Sequence, residues 1–251
     1  MHCRTSSPFI SSCLILVSLQ GFTCLNPEQI HLSLSNSPQT MNVQWGTTNE
    51  DNLCNTSGTV HYGLGIDSLN LSSVADCFPF SVGKYQVEQS NYVAQMTDLS
   101  PSTMYYYYVS TDDSNSEVFY FRSAPDATTI LQNLPQYFLV WGDLGSSKSL
   151  PMSSSTIMPY TSTEVQQGNV DMILHVGDLA YDMSDDNGTR AQLWMNEIMN
   201  MSAYVPYMVD AGNHEQDYRF AHYTEYFRAS PLNYDYPTVT SDNGEAPNNW
   251  Y

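Results

Sequence analysis

Apolar and polar residues alternate in short runs along the first half of the chain. Apolar side chains take every second position in most of six segments: 30–34, 41–45, 60–62, 92–96, 104–109 and 118–121. A period of two predicts strands with one buried face. Turn residues such as Gly63 and Gly65 separate the runs, and no helical pattern intervenes. The pattern therefore predicts an antiparallel β-sandwich.

The periodicity changes after Pro135. Three runs are continuously apolar: 137–141, 172–176 and 205–209. Such runs are typical of parallel strands covered on both faces. The segments between them, roughly 154–167 and 189–203, are long enough for crossover helices, and Trp194 and Ile198 have helical spacing in the second. The pattern predicts an α/β domain of the order βαβαβ.

The N-terminal residues predict a secretory signal. After a weakly basic start, Phe9–Leu19 is an apolar run of eleven residues, too short to span a bilayer. An N-terminal strand or core helix is the alternative. We therefore divide the chain into a signal peptide (1–24), the sandwich (25–124), a linker bracketed by prolines (125–135) and the α/β domain (136–251). The predicted location is extracellular, or the lysosomal lumen, without membrane insertion.

The cysteines fit this compartment. Only Cys54 and Cys77 lie beyond the predicted signal. In an oxidising compartment they predict one disulfide, and two unpaired buried thiols are the alternative. Four sequons also fit a glycoprotein: Asn55, Asn70, Asn187 and Asn200.

The charge balance excludes some partners. The net charge is -19, from 26 acidic residues and only 7 Lys and Arg. Nucleic acid and anionic membranes need clustered cationic side chains, so neither is an expected partner. An enzyme acting on anionic phosphate esters would need local positive charge, which bound metal ions could supply.

Polar residues follow glycines where the three apolar runs end. Gly142 precedes Asp143, Gly177 precedes Asp178, and Gly212 lies between Ala211 and Asn213. Taken singly, each is more often a turn or a helix cap than a ligand. Because ligands bind at the carboxyl ends of strands in open α/β sheets, the three together indicate a metal centre of oxygen ligands.

These motifs resemble those of a known family. The metallophosphoesterase signature is resembled by three motifs: Asp143-x-Gly145, Gly177-Asp178-x-x-Tyr181 and Gly212-Asn213-His214-Glu215. The tyrosine of the second motif is typical of the purple acid phosphatase branch, which the chain therefore resembles. The segment Pro27–Ser33 resembles the start of that branch's sandwich domain. Leu99–Tyr107 resembles a fibronectin type III pattern, in which the first tyrosine of the strand hydrogen-bonds back across the preceding corner. The expected fold is a fibronectin III-like sandwich followed by an incomplete metallophosphoesterase domain.

The resemblance implies a role for each site residue. Asp143 would bind a ferric ion, Tyr181 would bind it as phenolate, and Asp178 would bridge it to a divalent ion, either Zn, Fe or Mn. Asn213 would bind the divalent ion, and His214 would be catalytic as a hydrogen-bond donor or general acid. A core tyrosine and a satisfied surface histidine are the alternatives for Tyr181 and His214.

Three further residues near these motifs are not predicted to be ligands or catalytic residues. Glu215 is expected to orient its loop. His175 and His222 match no ligand motif, and His175 is expected to be structural.

The implied reaction is hydrolysis of phosphate monoesters by a metal-bound hydroxide. The family continues with Val-x-x-His and Gly-His-x-His segments, and the chain contains neither. The divalent site would then keep only Asp178 and Asn213, so we expect little or no activity from this chain alone. A diesterase or nucleotidase and a non-catalytic secreted glycoprotein are the alternatives, and a homodimer is left open.

Overall fold

A computed structural model describes residues 26–48, 53–82, 87–112, 114–130 and 135–230. The predicted signal peptide, residues 1–24, lies outside the described residues.

The first part of the chain forms two antiparallel sheets. Its strands are β1 (Glu28–Leu34), β2 (Met41–Thr47), β3 (Gly58–Gly63), β4 (Leu71–Val74), β5 (Asp76–Phe80), β6 (Gln89–Met96), β7 (Met104–Thr111), β8 (Ser114–Asn115) and β9 (Phe119–Arg122). One sheet has the order β1-β2-β6-β5. The other has the order β4-β3-β7-β8, with β9 also paired to β7. The predicted antiparallel architecture is confirmed, whereas the likeness to fibronectin stays a prediction.

Alternate apolar side chains fill the space between the two sheets. Trp45 stacks on Tyr92, with ring centroids 5.5 Å apart, and both are buried. The Tyr105 hydroxyl accepts a hydrogen bond from the Ser100 amide at 2.9 Å, across the corner before β7. A disulfide joins Cys54 and Cys77, as predicted.

The second part contains three parallel strands and their crossover helices. The elements are α1 (Ala127–Ile130), inside the predicted linker, β10 (Phe138–Trp141), α2 (Met158–Gln166), β11 (Met172–Val176), α3 (Thr189–Ser202), β12 (Tyr207–Asp210) and α4 (Ala221–Tyr226). A π-helical turn, Ser153–Ile157, precedes α2. The strands pair in the order β10-β11-β12, which confirms the predicted βαβαβ order.

One face of this parallel sheet is more exposed than the sequence predicts. Ile173 in β11 is fully buried on the face that packs with Trp194 of α3. On the other face, Phe138 and Val140 of β10 are 51% and 61% exposed. The prediction that both faces are covered is therefore wrong for β10, because no described element packs over these side chains.

One side of the sandwich, which the sequence predicts to be a polar surface exposed to solvent, is also buried. We call the polar side chains on one side of its four-stranded sheet the interdomain face: Gln29, His31, Ser33, Asn42, Gln44, Gln89 and Asn91, all buried. The segment containing α4 and the residues after it packs on this face. Gln44 donates to the Glu225 carbonyl at 2.7 Å and accepts from the Ala229 amide at 2.9 Å. The expectation of a single buried face is therefore wrong for this sheet.

Candidate metal centre

Three loops leave the carboxyl ends of β10, β11 and β12 side by side. Gly177 has φ +87°, and a Cβ there would lie 2.9 Å from the Gly212 Cα. A Cβ on Gly212 would collide with the Asp178 carboxylate. Glycine is therefore needed at both positions, because it lets the second and third loops approach at backbone distance.

Three predicted oxygen ligands converge at this rim. The Tyr181 hydroxyl donates a hydrogen bond to the Asp143 carboxylate and also interacts with Asp178. The pKa of Tyr181 is raised above its ordinary value, mainly by burial and to a smaller extent by these two carboxylates. The phenol therefore holds its proton more strongly here, and a bound cation would shift the balance toward the phenolate.

Asn213 and His214 lie in the short 3₁₀ turn Asn213–Glu215 that follows β12. The His214 amide donates to the Asp178 carboxylate at 3.1 Å, which brings this turn beside the second loop. Asn213 is exposed at the start of the turn. All five predicted site residues therefore lie on loops at one edge of the sheet.

Asp182 also lies at this rim, although it belongs to none of the predicted ligand motifs. Its carboxylate lies 2.6 Å from the His214 Nδ1. Burial lowers the pKa of His214, but the hydrogen bond and charge of Asp182, together with the charges of Asp178 and Glu215, outweigh burial and raise the pKa above its ordinary value. The rings of Tyr181 and His214 are 4.4 Å apart. The one sequence feature that could have identified Asp182 is its position as an acidic residue directly after Tyr181.

The two other histidines of this part are buried in the core. His175 bonds the Tyr207 hydroxyl through Nδ1 at 2.9 Å, and burial lowers its pKa to about 3. His222 packs edge-on against Phe80 and stacks on Tyr226. Both placements agree with the structural role expected for His175 and with His222 lying outside the ligand motifs.

The donors at the rim fit a hard cation. Within the described ranges, no three His, Cys, Asp or Glu side chains form a metal-binding group. The oxygen donors that converge here are instead the Tyr181 phenol and the carboxylates of Asp143 and Asp178. No salt bridge among the described residues reaches either carboxylate. Oxygen donors with unbalanced negative charge suit a hard metal ion.

Two family models match adjoining parts of the chain. The purple acid phosphatase N-terminal domain matches residues 27–123, and the calcineurin-like phosphoesterase domain matches residues 136–250. The chain therefore contains a calcineurin-like phosphoesterase domain preceded by this N-terminal domain. The chain belongs to the purple acid phosphatase family.

The chain is similar to parts of longer relatives. Acid phosphatase type 7 of Danio rerio is 33% identical over 204 residues, which are 80% of this chain and 42% of the relative. The Fe(3+)-Zn(2+) purple acid phosphatase 12 of Arabidopsis thaliana is 26% identical over 77% of this chain and 39% of its own length. This chain thus spans about two fifths of the length of both relatives.

A solved structure shows the same fold. A purple acid phosphatase from yellow lupin (Lupinus luteus) seeds superposes with a TM-score of 0.62 at 19% identity. The match covers 77% of this chain and 36% of the lupin chain. At this identity the likeness supports the fold alone.

Proposed function

We propose that this chain supplies part of a two-metal centre for the hydrolysis of phosphate monoesters. The observation that carries the proposal is the convergence of Asp143, Asp178 and Tyr181 at the strand ends. Two bound cations would polarise the phosphate and make a nucleophile available at acidic pH. They would also offset the net charge of -19, which otherwise repels an anionic substrate.

Each residue would act on the cations or on the phosphate. Asp143 and Tyr181 would hold Fe(III), Asp178 would bridge both ions, and Asn213 would hold a divalent Zn, Fe or Mn ion through its amide oxygen. This assignment is supported by the oxygen chemistry of the four side chains and by their shared rim.

His214 would donate a proton or hydrogen bond to the substrate. Asp182 occupies its Nδ1, so Nε2 is the ring nitrogen left to face a ligand. The raised pKa keeps the imidazole protonated to a higher pH than usual, which suits a donor at acidic pH. Asp182 would fix the orientation of the ring.

The cellular setting forms a second part of the proposal. The predicted signal and the disulfide between Cys54 and Cys77 support a secreted or lysosomal glycoprotein. No helix in the described part of the chain has the length and apolar character needed to cross a membrane.

Metal titration tests the proposal. A polypeptide of these 251 residues carries neither later histidine motif, so we expect it to bind Fe(III) but hydrolyse p-nitrophenyl phosphate weakly or not at all. Fe(III) should produce a visible tyrosinate absorption band that Tyr181→Phe abolishes. Tyr160→Phe, at an exposed tyrosine of α2, should leave it unchanged.

A chain that binds no metal and shows no such band would contradict the proposal. That result would favour the non-catalytic glycoprotein. Faster hydrolysis of diesters than of monoesters would favour the diesterase alternative.

A further inference from the structure

We propose that Glu215 is a positioning residue: its carboxylate ties the second loop to the third and so sets the spacing of the metal ligands. The role in metal binding rests on the proposed function, whereas the tie itself does not. The relevant property of Glu215 is the number of hydrogen bonds it accepts, not its negative charge.

The carboxylate of Glu215 is buried among backbone amides of two loops. Glu215 is 2% exposed. Its Oε2 accepts from the Asp178 amide at 2.9 Å and from the Gly212 amide at 2.7 Å, and its Oε1 accepts from the Leu179 amide at 2.8 Å. Asp178 and Leu179 follow β11, whereas Gly212 follows β12. One side chain therefore joins the two loops.

The tied amides belong to or adjoin the predicted ligands. Asp178 is itself a ligand, and Gly212 directly precedes Asn213. The Asp178 carboxylate also accepts from the His214 amide at 3.1 Å. Because Glu215 fixes the backbone at both points, it fixes how far the Asp178 carboxylate lies from Asn213 and His214 before any ion binds.

Glutamine at this position can preserve the link between the loops but not every hydrogen bond. Its single amide oxygen can replace Oε2 and still accept from Asp178 and Gly212. Its NH₂ group would then face the Leu179 amide, which is also a donor. Glu215→Gln should therefore release one amide, and Glu215→Ala should release all three.

Amide hydrogen exchange of the 251-residue chain, followed by NMR, tests the tie. Glu215→Gln should speed exchange at Leu179 on the order of tenfold and leave Asp178 and Gly212 near the wild-type rate. Glu215→Ala should speed all three. Equal acceleration in both variants, or acceleration that extends to Leu174 in β11, would overturn the proposal.

Zn²⁺ titration calorimetry separates the tie from electrostatic attraction. Glu215→Gln should bind Zn²⁺ within a few-fold of wild type, whereas Glu215→Ala should bind about tenfold or more weakly. If charge alone matters, the two variants weaken equally, and the proposal fails.

The matched control is Glu164→Gln, which changes an exposed carboxylate of α2 that accepts from the Asn169 side chain. It should leave both measurements unchanged, and an effect as large as that of Glu215→Ala would overturn the proposal. If wild type binds no Zn²⁺, the proposed divalent site of Asp178 and Asn213 fails while the Fe(III) site is tested separately, and amide exchange still decides the tie.

Discussion

The two faces of the four-stranded sheet β1-β2-β6-β5 are buried by different chemistry. One face packs apolar side chains such as Trp45 and Tyr92 into the sandwich core. The interdomain face packs polar side chains against the backbone around α4, where Ser33 and Asn42 both donate to the Ala229 carbonyl at 2.7 Å. The first face removes apolar area from water, whereas the second depends on matching each donor to an acceptor.

This difference indicates how the two parts of the chain depend on each other. An apolar contact tolerates small shifts, because burial is roughly proportional to area. A buried polar contact does not, because an amide or carbonyl left without a partner costs its full desolvation. The interdomain face therefore fixes one register between the sandwich and the segment that follows the metal centre.

The apolar face should show the largest effect of a single change. Trp45→Ala should lower the free energy of unfolding by about 3–5 kcal/mol, because Trp45 is fully buried and leaves a large cavity. Urea denaturation followed by circular dichroism measures this loss. Val74→Ala, at an exposed position of β4, is the control and should cost less than about 0.5 kcal/mol. Equal losses in the two variants would show that Trp45 is not part of a packed core.

The sequence predicts the apolar face well and the interdomain face poorly. Alternation places Val43 and Trp45 on one side of β2 because this signal is local. The same alternation leaves Gln44 looking exposed. Its partners, Glu225 and Ala229, are 181 and 185 residues away in sequence, and no local pattern identifies them.

The metal centre shows the same division. The glycine and acid at each strand end predict the shared rim, because parallel strands place their carboxyl ends together. The contact of Asp182 with His214 depends on how two loops fold toward each other, so spacing alone could not assign it. Glu215 was expected to orient its loop, but the amides it accepts from become visible only in three dimensions.

Breaking the buried ion pair behind the interdomain face should have the next largest effect. Arg228 donates to Glu225 at 2.8 Å, and both side chains are almost fully buried. Arg228→Met should cost about 3 kcal/mol in urea denaturation, because it leaves a buried carboxylate without its cation. Arg122→Met, at an exposed arginine of β9, should have little effect. A loss below about 1 kcal/mol at Arg228 would show that the pair is not needed for docking.

A neutral change on the interdomain face should cost less. Gln44→Leu keeps a similar volume but removes one donor and one acceptor, so the Glu225 carbonyl and the Ala229 amide each lose a partner. We expect a loss of about 2 kcal/mol by urea denaturation. Gln39→Leu, at an exposed glutamine just before β2, is the control and should have little effect. If Gln44→Leu stabilises the chain, the face behaves as an apolar contact and the comparison fails.

The smallest expected effect is a change in pH dependence at His31. Burial lowers the pKa of this interdomain histidine to about 4, although its hydrogen bond to the Gln29 carbonyl opposes the shift. Because the ordinary pKa of histidine is 6.5, the unfolded chain takes up a proton first, and stability falls as pH drops from about 6.5 toward 4. Between about pH 7 and 5.5, the free energy of unfolding of His31→Gln should therefore fall by about 1 kcal/mol less than that of wild type. His61→Gln, on the other sheet, should keep the wild-type slope, and equal slopes in all three proteins would show that His31 does not contribute.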